Sequence, residues 1–385
     1  MDMIRLLLWI ASAALFAVLT VFAGKAVRNR CPLPVCILAA CLKALAVPLT
    51  GLLMVYWDTP FTWRCNMLLG GFYVAALGSV CADILRFAVT LADRFIRPSG
   101  EKDGRLRNRI RNTLGLHSGI MAEVLIIAAV FLYGTLNMMI VTPRSWTVRD
   151  SRLESGYKIV FVSDIHAGSA QPYAVLEKMM KDIKKEQPDL LVVGGDVTDE
   201  FSSKEDAEKV WKVIGDADLP AVAVWGNHDR QKLAVMAHGS SYTEEELKEI
   251  IQKNGIRLLE DEYLKLRPDL ILYGREDISE PDRRKTFDPA GSPCPEAFTV
   301  LLDHQQMEGG RLKDMGRVLQ LSGHSHDGQY FPLNLIYTLA GAYPSGRYEV
   351  GESELIVSSG CSGWRNPFRT QGHCHYEVIR LEPEN

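Results

Sequence analysis

The sequence predicts two structurally different parts, a set of membrane-spanning helices followed by an α/β domain. Four long apolar stretches lie within residues 1–145, and each has the ~20 or more mainly apolar residues that cross a bilayer. Beyond them, short β-branched runs alternate with segments of helical spacing. That alternation is typical of a layered α/β domain. We therefore predict a transmembrane region over residues 1–145, a tether over residues 146–154 and a folded domain over residues 155–385.

The charges flanking the four spans predict the orientation of the chain. Cytoplasmic loops of membrane proteins are rich in lysine and arginine. Basic residues cluster after the first and third stretches, at Lys25, Arg28, Arg30, Arg94, Arg97, Lys102, Arg105, Arg107, Arg109 and Arg111. We therefore expect a multi-pass cell-membrane protein whose α/β domain is extracytoplasmic. The predicted spans are Met3 to Ala23, Pro34 to Trp57, Met67 to Ala92 and Ile120 to Val141.

Charged residues inside the predicted spans are expected to be paired, because an isolated charge in a bilayer is costly. Lys43 and Asp83 lie at similar depths from the cytoplasmic ends of their helices, so they can pair across the bundle. Arg86 is an alternative partner for Asp83, three residues away on the same helix. Glu123 is close enough to the end of its span to be interfacial.

Five polar motifs in the second half of the chain each follow an apolar run that reads as a buried strand. They are VSDIHAG, VVGGDVTDE, WGNHDR, VLLDHQQ and LSGHSHDGQ, and they contain five of the nine histidines. Strand ends meet along one edge of a sheet in a layered α/β domain. We therefore expect the motifs to converge, with helices at about Tyr173 to Gln187, Ser203 to Gly215 and Thr243 to Asn254 covering both faces of the sheet.

The residue types in these motifs predict a metal centre. Imidazole, carboxylate and amide ligands suit Mn, Fe, Zn or Co, and no cysteine lies in the motifs, which argues against a structural zinc site. A carboxylate such as Asp196 can bridge two ions roughly 3.5–4 Å apart, a separation suited to in-line displacement at phosphorus. The pattern therefore predicts two divalent or trivalent ions.

The order of the motifs resembles the calcineurin-like metallophosphoesterase superfamily, most closely the membrane-attached bacterial branch whose last motif reads GHTHGGQ. The resemblance covers about residues 155–383. It implies a four-layer sandwich of two mixed β-sheets flanked by helices, and phosphoester hydrolysis by a metal-bridging hydroxide. It also implies that Asp196 bridges the ions and that the other ligands are Asp164, His166 and His326 for the first metal, and Asn227, His304 and His324 for the second.

The resemblance implies further roles outside the ligand set. His228 would steady the phosphoryl oxygen or protonate the leaving group, oriented by Asp229. Arg365 and Arg369, in the C-terminal loop, would contact the substrate phosphate. The chain departs from the branch pattern at Gln306, Ser325 and Asp327. In an oxidising compartment, Cys361 and Cys374 are candidates for a disulfide.

These features lead to one leading function and two alternatives. The leading hypothesis is a membrane-anchored, metal-dependent phosphoesterase acting on a phosphodiester or lipid-linked bond, with membrane lipids as partners. The first alternative is a pyrophosphohydrolase that uses the same site to act on a lipid-linked nucleotide sugar. It requires the nucleotide to lie on the same side of the membrane as the site. A metal-binding membrane sensor without turnover is the third reading. The basic residues of the membrane half collect in its loops, and the net charge is −4, so we expect no nucleic-acid partner.

Overall fold

The computed structural model describes residues 3–56, 60–95, 120–232, 239–283 and 292–384. The chain divides into two compact units. The membrane unit contains Asp2–Leu136 together with Tyr330–Pro332. The catalytic unit contains Asn137–Gln329 and Leu333–Asn385.

Four long helices are described in the membrane unit, and the last of them ends two residues into the catalytic unit. They are α1 (Met3–Arg30), α2 (Leu33–Tyr56), α3 (Pro60–Phe95) and α4 (Ile120–Met138). Each contains a stretch of at least 18 residues apolar enough to span a membrane, which confirms the four predicted helices. Many large apolar side chains, among them Phe22, Ile84 and Leu125, are exposed on these helices, as expected where lipid replaces water. Most of the predicted arginine-rich loop, residues 96–119, lies outside the described residues.

A chain of polar side chains connects three of these helices. The Lys43 ammonium donates to Ser79 Oγ at 2.9 Å and to the Asp83 carboxylate. Arg86 forms ion pairs with Asp83 at 2.7 Å and with Glu123 at 2.8 Å. Both predicted partners of Asp83 are therefore present together. Glu123 is fully buried rather than interfacial, and its pairing with Arg86 offsets the cost of burying its charge.

In the part of the catalytic unit that the structure describes, the strands form two six-stranded mixed sheets. The strands of the first sheet, in spatial order, are β1 (Val141–Asp150), β12 (Cys374–Pro383), β2 (Tyr157–Val162), β3 (Leu190–Val193), β4 (Ala221–Ala223) and β5 (Arg257–Leu258). The strands of the second sheet are β10 (Gly346–Val350), β11 (Ser353–Val357), β9 (Val318–Ser322), β8 (Phe298–Leu302), β7 (Leu270–Gly274) and β6 (Glu262–Arg267).

The apolar runs are explained by burial of the strands on two faces. In β2, Ile159 and Phe161 belong to the core between the two sheets, whereas Val160 and Val162 face the core beneath the helices. Strands β2, β3 and β4 are mutually parallel, as are β7, β8 and β9. Their carboxyl ends therefore gather at one edge of each sheet, and the polar motifs follow directly.

The three predicted helices are present as α5 (Tyr173–Lys185), α6 (Lys204–Gly215) and α7 (Glu244–Lys253). Capping boxes at Ser203 and Thr243 start α6 and α7. All three helices pack on the outer face of the first sheet. The prediction that they cover both faces of this sheet is therefore wrong, because its inner face packs against the second sheet. A 3₁₀ helix, η1 (Gln306–Asp314), contributes Leu312 to the outer core of the second sheet.

The segment predicted as a tether instead contains an edge strand. Val141–Asp150 pairs in parallel with β12 along its whole length. Trp146 and Val148 contact the core between the sheets, and Trp146 Nε1 donates to Glu377 Oε2 at 2.7 Å. The chain therefore forms an edge strand of the first sheet soon after α4 ends. The other predicted domain boundaries stay predictions.

Candidate metal centre

The carboxyl ends of five parallel strands supply the polar residues of the site. Asp164 follows β2, Asp196 follows β3, and Asn227 follows β4, whereas His304 and His324 follow β8 and β9. Two groups of potential ligand atoms result, and within each group the atoms lie within 4.8 Å of one another. The first group is Asp164, His166 and His326, and the second is Asp196, His304 and His324.

Asp196, a member of the second group, also approaches the first group. Its Oδ2 atom is 3.0 Å from His304 Nε2 and 3.9 Å from His166 Nε2. Its Oδ1 atom accepts a hydrogen bond from the backbone nitrogen of His228 at 2.9 Å. One carboxylate oxygen thus approaches an imidazole of each group, which is the position predicted for a bridging ligand.

The backbone at the predicted ligands is unusual. Five of the seven have positive φ values, with 54° at Asp164, 47° at His166, 52° at Asp196, 69° at His324 and 47° at His326. Non-glycine residues rarely adopt this conformation, and it costs on the order of 1–3 kcal/mol at each position. The turns at the strand ends are therefore formed largely by the ligands themselves, and not only by the neighbouring glycines as the sequence suggested.

Glycine is nevertheless required where two of these turns approach each other. A Cβ atom at Gly226 would lie 2.2 Å from Asp196 Oδ1, which is too close for any side chain. Gly226 therefore allows the turn after β4 to pack against the Asp196 carboxylate.

The buried polar atoms of the site fit bound cations. Among the described residues, Asn227 Oδ1 is buried without a hydrogen bond, and His304 Nε2 is buried against the Asp196 carboxylate, 3.0 Å from Oδ2. His304 Nδ1 lies 2.7 Å from the carbonyl oxygen of Gly194, so Nε2 is the nitrogen that faces the site. In the first group, His166 Nε2 lies 3.1 Å from His326 Nε2. Two ring nitrogens at this distance need a proton or a cation between them. The residues present therefore fit two metal ions.

The pKa shifts of the ligand histidines also favour metal binding. Burial lowers the pKa of His324 to about 4 and that of His326 to about 3, so both imidazoles are neutral, as metal ligands must be. Burial also opposes protonation of His304, but the Asp196 carboxylate outweighs it and raises the pKa of His304 well above its usual value. A metal ion at this position must therefore displace a proton.

Glu200 orients His228, a role the sequence reading gave to Asp229. Glu200 places its two carboxylate oxygens 2.8 and 2.9 Å from His228 Nδ1. The Asp229 carboxylate instead accepts backbone hydrogen bonds from Asp196 at 2.9 Å and from Gly226 at 2.8 Å, and further ones from Val197 and Thr198. The prediction that Asp229 orients His228 is therefore wrong, because its oxygens are engaged in holding the Asp196 turn.

The surroundings of His228 favour its protonated form. Burial opposes the charge, but Glu200 and Asp196 outweigh it and raise the pKa of His228 to about 10. The ring of Trp364 lies 4.8 Å from the His228 ring. Neither Glu200 nor Trp364 was assigned a role from the sequence, although Glu200 is part of the VVGGDVTDE motif.

The two arginines predicted to contact substrate make different contacts in the structure. Arg369 is fully buried, and its guanidinium donates to the carbonyl oxygens of His373, His326 and Ser359 at 2.7–2.9 Å. Its prediction as a substrate ligand is therefore wrong, because these donors hold the loop that carries His326. Arg365 stacks on Trp364, with its guanidinium carbon 3.7 Å from the ring centroid. Arg365 thus lies next to the side chain that contacts His228, and its substrate role stays a prediction.

Two further sequence expectations concern the same region. Cys361 and Cys374 are both buried free thiols, so the candidate disulfide is absent. Burial raises the pKa of Asp327, and nearby Arg369 and Gln371 oppose that shift. Arg369 and Gln371 therefore help to stabilise the negative charge of Asp327, the extra acidic residue of the last motif.

The fold and the site together define a two-sheet α/β domain with two neighbouring groups of potential metal ligands. Residues 157–328 match the family described as calcineurin-like phosphoesterase. This part of the chain is therefore similar to the calcineurin-like phosphoesterases.

Similar proteins occur in bacteria and animals. An uncharacterized metallophosphoesterase of Helicobacter pylori strain J99 is 28% identical over 252 residues, which cover 61% of this chain and 62% of that protein. The uncharacterized metallophosphoesterase YkuE of Bacillus subtilis is 25% identical over 239 residues, with 60% and 80% covered. A Danio rerio protein named transmembrane protein with metallophosphoesterase domain is 28% identical over 245 residues, with 59% and 54% covered. The match thus spans less than two thirds of the Helicobacter relative.

Two solved structures show distant likeness to the chain. The protein TT1561 of Thermus thermophilus has a TM-score of 0.36 and 14% identity, covering 53% of this chain and 89% of that one. A dimetal phosphatase from Danio rerio has a TM-score of 0.35 and 11% identity, covering 54% and 88%.

Proposed function

We propose that this chain is a membrane-anchored, metal-dependent phosphoesterase that hydrolyses phosphodiester or lipid-linked phosphoester bonds outside the cytoplasm. The observation that carries the proposal is the position of Asp196, whose Oδ2 atom lies 3.0 Å from an imidazole of one ligand group and 3.9 Å from an imidazole of the other. A two-metal hydrolytic site requires a ligand of this kind, which both ions can share.

The proposed ligands divide into two sets that share Asp196. One ion would be held by Asp164, His166 and His326, and the other by Asn227, His304 and His324. Bound Mn, Fe, Zn or Co ions supply a nucleophile near neutral pH and neutralise charge on a phosphoryl group. Asp199 supports the first set, since its Oδ2 atom lies 3.3 Å from His166 Nδ1 and fixes the orientation of that ring.

His228 is the proposed acid. Because its Nδ1 atom is engaged with Glu200, Nε2 is the ring nitrogen left to donate a proton to a phosphoryl oxygen or to the departing alcohol. The His166 and His228 ring centroids are 5.6 Å apart, so this donor lies at the edge of the ligand group. Trp364 covers part of the His228 ring and limits its contact with water.

Location suggests the substrate class. Four apolar helices precede the domain, which confines the site to the neighbourhood of a bilayer. Phosphoesters that reside in the membrane are therefore encountered more often than dissolved ones. A sensor without turnover is disfavoured, because the acid His228 and its partner Glu200 are both in place.

Removal and return of metal test the proposed activity. We expect the chelator-treated protein to be inactive, and Mn²⁺ to restore hydrolysis of bis-p-nitrophenyl phosphate by about 100-fold or more, because the ions supply the nucleophile. The corresponding monoester is assayed in parallel, and the ratio of the two hydrolysis rates shows whether the protein prefers diester or monoester bonds. Unchanged activity in protein shown by mass spectrometry to contain under about a tenth of an ion per chain would contradict a metal-dependent mechanism.

A reporter fusion tests the orientation. Alkaline phosphatase fused after Asn385 is expected to be active, and a fluorescent protein that folds only in the cytoplasm is expected to be dark at the same position, because the basic residues predict that the preceding loop is cytoplasmic. Fusions within residues 96–119 serve as the control and should give the opposite pattern. Fluorescence after Asn385 would place the domain in the cytoplasm and favour the nucleotide-sugar alternative.

A further inference from the structure

The membrane unit contains a cavity between α1, α2 and α3. Its volume is about 630 Å³, which is in the range of sites that bind small molecules and cofactors. Most of the side chains that line it are small, and they include Thr20, Ala23, Gly24, Ala39, Ala40 and Ala76. The lining residues belong to the stretches apolar enough to span a membrane. The cavity is therefore open to occupation by the hydrocarbon chain of a lipid.

Contacts between the three helices maintain the walls of this cavity. The Phe16 ring on α1 packs edge-on against the Phe72 ring on α3, with 5.5 Å between centroids. On α2, the Lys43 ammonium pairs with the Asp83 carboxylate of α3. Both α1 and α2 are thus attached to α3, and the small residues between these contacts leave the space open. The cavity is a product of helix packing rather than of a loop.

A cluster of charged side chains interrupts the apolar lining. Lys43, Asp83 and Arg86 are the charged side chains among the described residues that line the cavity. They contact one another, since Asp83 pairs with both Lys43 and Arg86. A largely apolar pocket with a few polar groups at one place is the usual form of a ligand site, because the polar groups fix the orientation of the ligand. Here the pattern fits an amphiphile with a charged headgroup.

The signs of the charges indicate which headgroup fits. Among the described residues, the cluster has two basic side chains, Lys43 and Arg86, and two acidic ones, Asp83 and the buried Glu123, which pairs with Arg86 at 2.8 Å. The formal charges cancel, and a ligand with a net charge would disturb this balance where charge is costly. The side chains that line the cavity itself nevertheless include both signs. A headgroup with one negative and one positive group meets both conditions.

We propose that this cavity binds one phospholipid whose headgroup carries a phosphate and a primary ammonium, as phosphatidylethanolamine does. The phosphate accepts hydrogen bonds from Lys43 and Arg86. An ammonium has three N–H donors, so Lys43 can serve the phosphate as well as Ser79 and Asp83. The lipid ammonium donates to Asp83, and an acyl chain fills the space beside the small residues of α1 and α2.

The proposal distinguishes this lipid from the two most similar ones. Phosphatidylcholine has the same net charge, but its quaternary nitrogen has no N–H to donate to Asp83. Phosphatidylglycerol lacks the positive group and brings a net negative charge. The inference rests on the membrane location assumed in the proposed function, but it does not require hydrolysis.

Native mass spectrometry of the full chain in detergent tests the site. The protein is titrated with phosphatidylethanolamine, phosphatidylcholine and phosphatidylglycerol of identical acyl chains. We expect one phosphatidylethanolamine to bind with a Kd at least about fivefold lower than that of the other two lipids. Equal Kd values would show that lipids only coat the helices, and a preference for phosphatidylglycerol would refute the balanced headgroup. Either result overturns the proposal.

Two variants test the headgroup and the cavity separately. Asp83→Asn removes the negative side chain that faces the ammonium, so the preference should change from phosphatidylethanolamine to phosphatidylglycerol, a reversal that simple loss of structure would not produce. Ala39→Phe fills the cavity without changing a charge and should weaken phosphatidylethanolamine binding about tenfold or more. Leu42→Phe is its matched control, since Leu42 is 58% exposed on the same helix, and it should bind as the wild type does.

The thermal unfolding of each variant is followed by circular dichroism in the same detergent. A folded Ala39→Phe variant with wild-type affinity would show that the lipid does not occupy this cavity. The mass of the adduct distinguishes intact lipid from a hydrolysis product. Intact lipid bound selectively by a protein that hydrolyses no phosphoester would support this site and refute the proposed function.

Discussion

Asp196→Asn is expected to reduce metal-restored phosphodiester hydrolysis by about 10³-fold or more. The substitution keeps the size of the side chain but replaces one anionic oxygen with an amide NH₂ group, which cannot ligate a cation. The Asp196 Oδ2 atom is the one that approaches both His304 and His166. Its loss should remove the shared ligand and separate the two ions, a geometry on which in-line displacement depends.

The measurement is the turnover number after reconstitution with Mn²⁺, together with metal content and the electron paramagnetic resonance spectrum of the coupled manganese pair. Asp182→Asn is the matched control, because Asp182 is a carboxylate of α5 that pairs with the exposed lysines Lys178 and Lys185. We expect the control to keep both the rate and the coupled spectrum. If Asp196→Asn retains the coupled pair and more than a tenth of the wild-type rate, Asp196 is not the bridging ligand.

The positions of the ligands could be predicted because their signals are local. Each apolar run is a strand buried on two faces, as Ile159 and Val160 show by facing different cores. A polar residue just after such a run lies at a sheet edge. The strand-end motifs predicted a metal centre without knowledge of which strands pair, the family resemblance implied the ligand set, and the structure brings residues of that set together in two groups.

Features that depend on distant pairing could not be predicted. Strand β1 was interpreted as a tether because its only strand partner among the described residues, β12, begins at Cys374, more than 200 residues later in the chain. Arg369 was predicted to contact substrate because it lies in the C-terminal loop, where a basic side chain can reach a phosphate. The carbonyl oxygens of His326 and Ser359 that it satisfies come together only in the folded loop.

The assignment of the residue that orients His228 failed for a different reason. The family resemblance assigned this role to Asp229, the sequence neighbour of His228. In the structure the turn directs Asp229 toward the backbone of residues 196–198, and Glu200 reaches His228 from the turn after β3. Local sequence identifies which acids are available, but the backbone conformation at the strand ends decides which one contacts the histidine.

Substitutions of His228 and Glu200 are expected to have the second large effect on activity. His228→Gln should lower the turnover number by about 10²–10⁴-fold, the range typical of a lost general acid, without loss of bound metal, because His228 is outside both ligand groups. Glu200→Gln should cause a smaller loss, since the imidazole remains and an amide oxygen can still accept its Nδ1 proton.

The pH dependence distinguishes a positioning role of Glu200 from a general structural one. Burial opposes protonation of His228, and the Glu200 carboxylate is the largest influence that favours it. Removing that negative charge lowers the pKa of His228, so the proton-donating form is lost at a lower pH. The alkaline limb of the pH profile of the turnover number should therefore move to lower pH in Glu200→Gln and disappear in His228→Gln.

The matched control is Glu208→Gln, which neutralises an exposed glutamate of α6 and should leave both the rate and the profile unchanged. Equal metal content in all four proteins establishes that differences in rate do not come from the metal sites. If Glu200→Gln lowers the rate while the alkaline limb stays in place, Glu200 supports only the fold of its turn, and the protonation of His228 must depend on Asp196, which is the next influence that favours it.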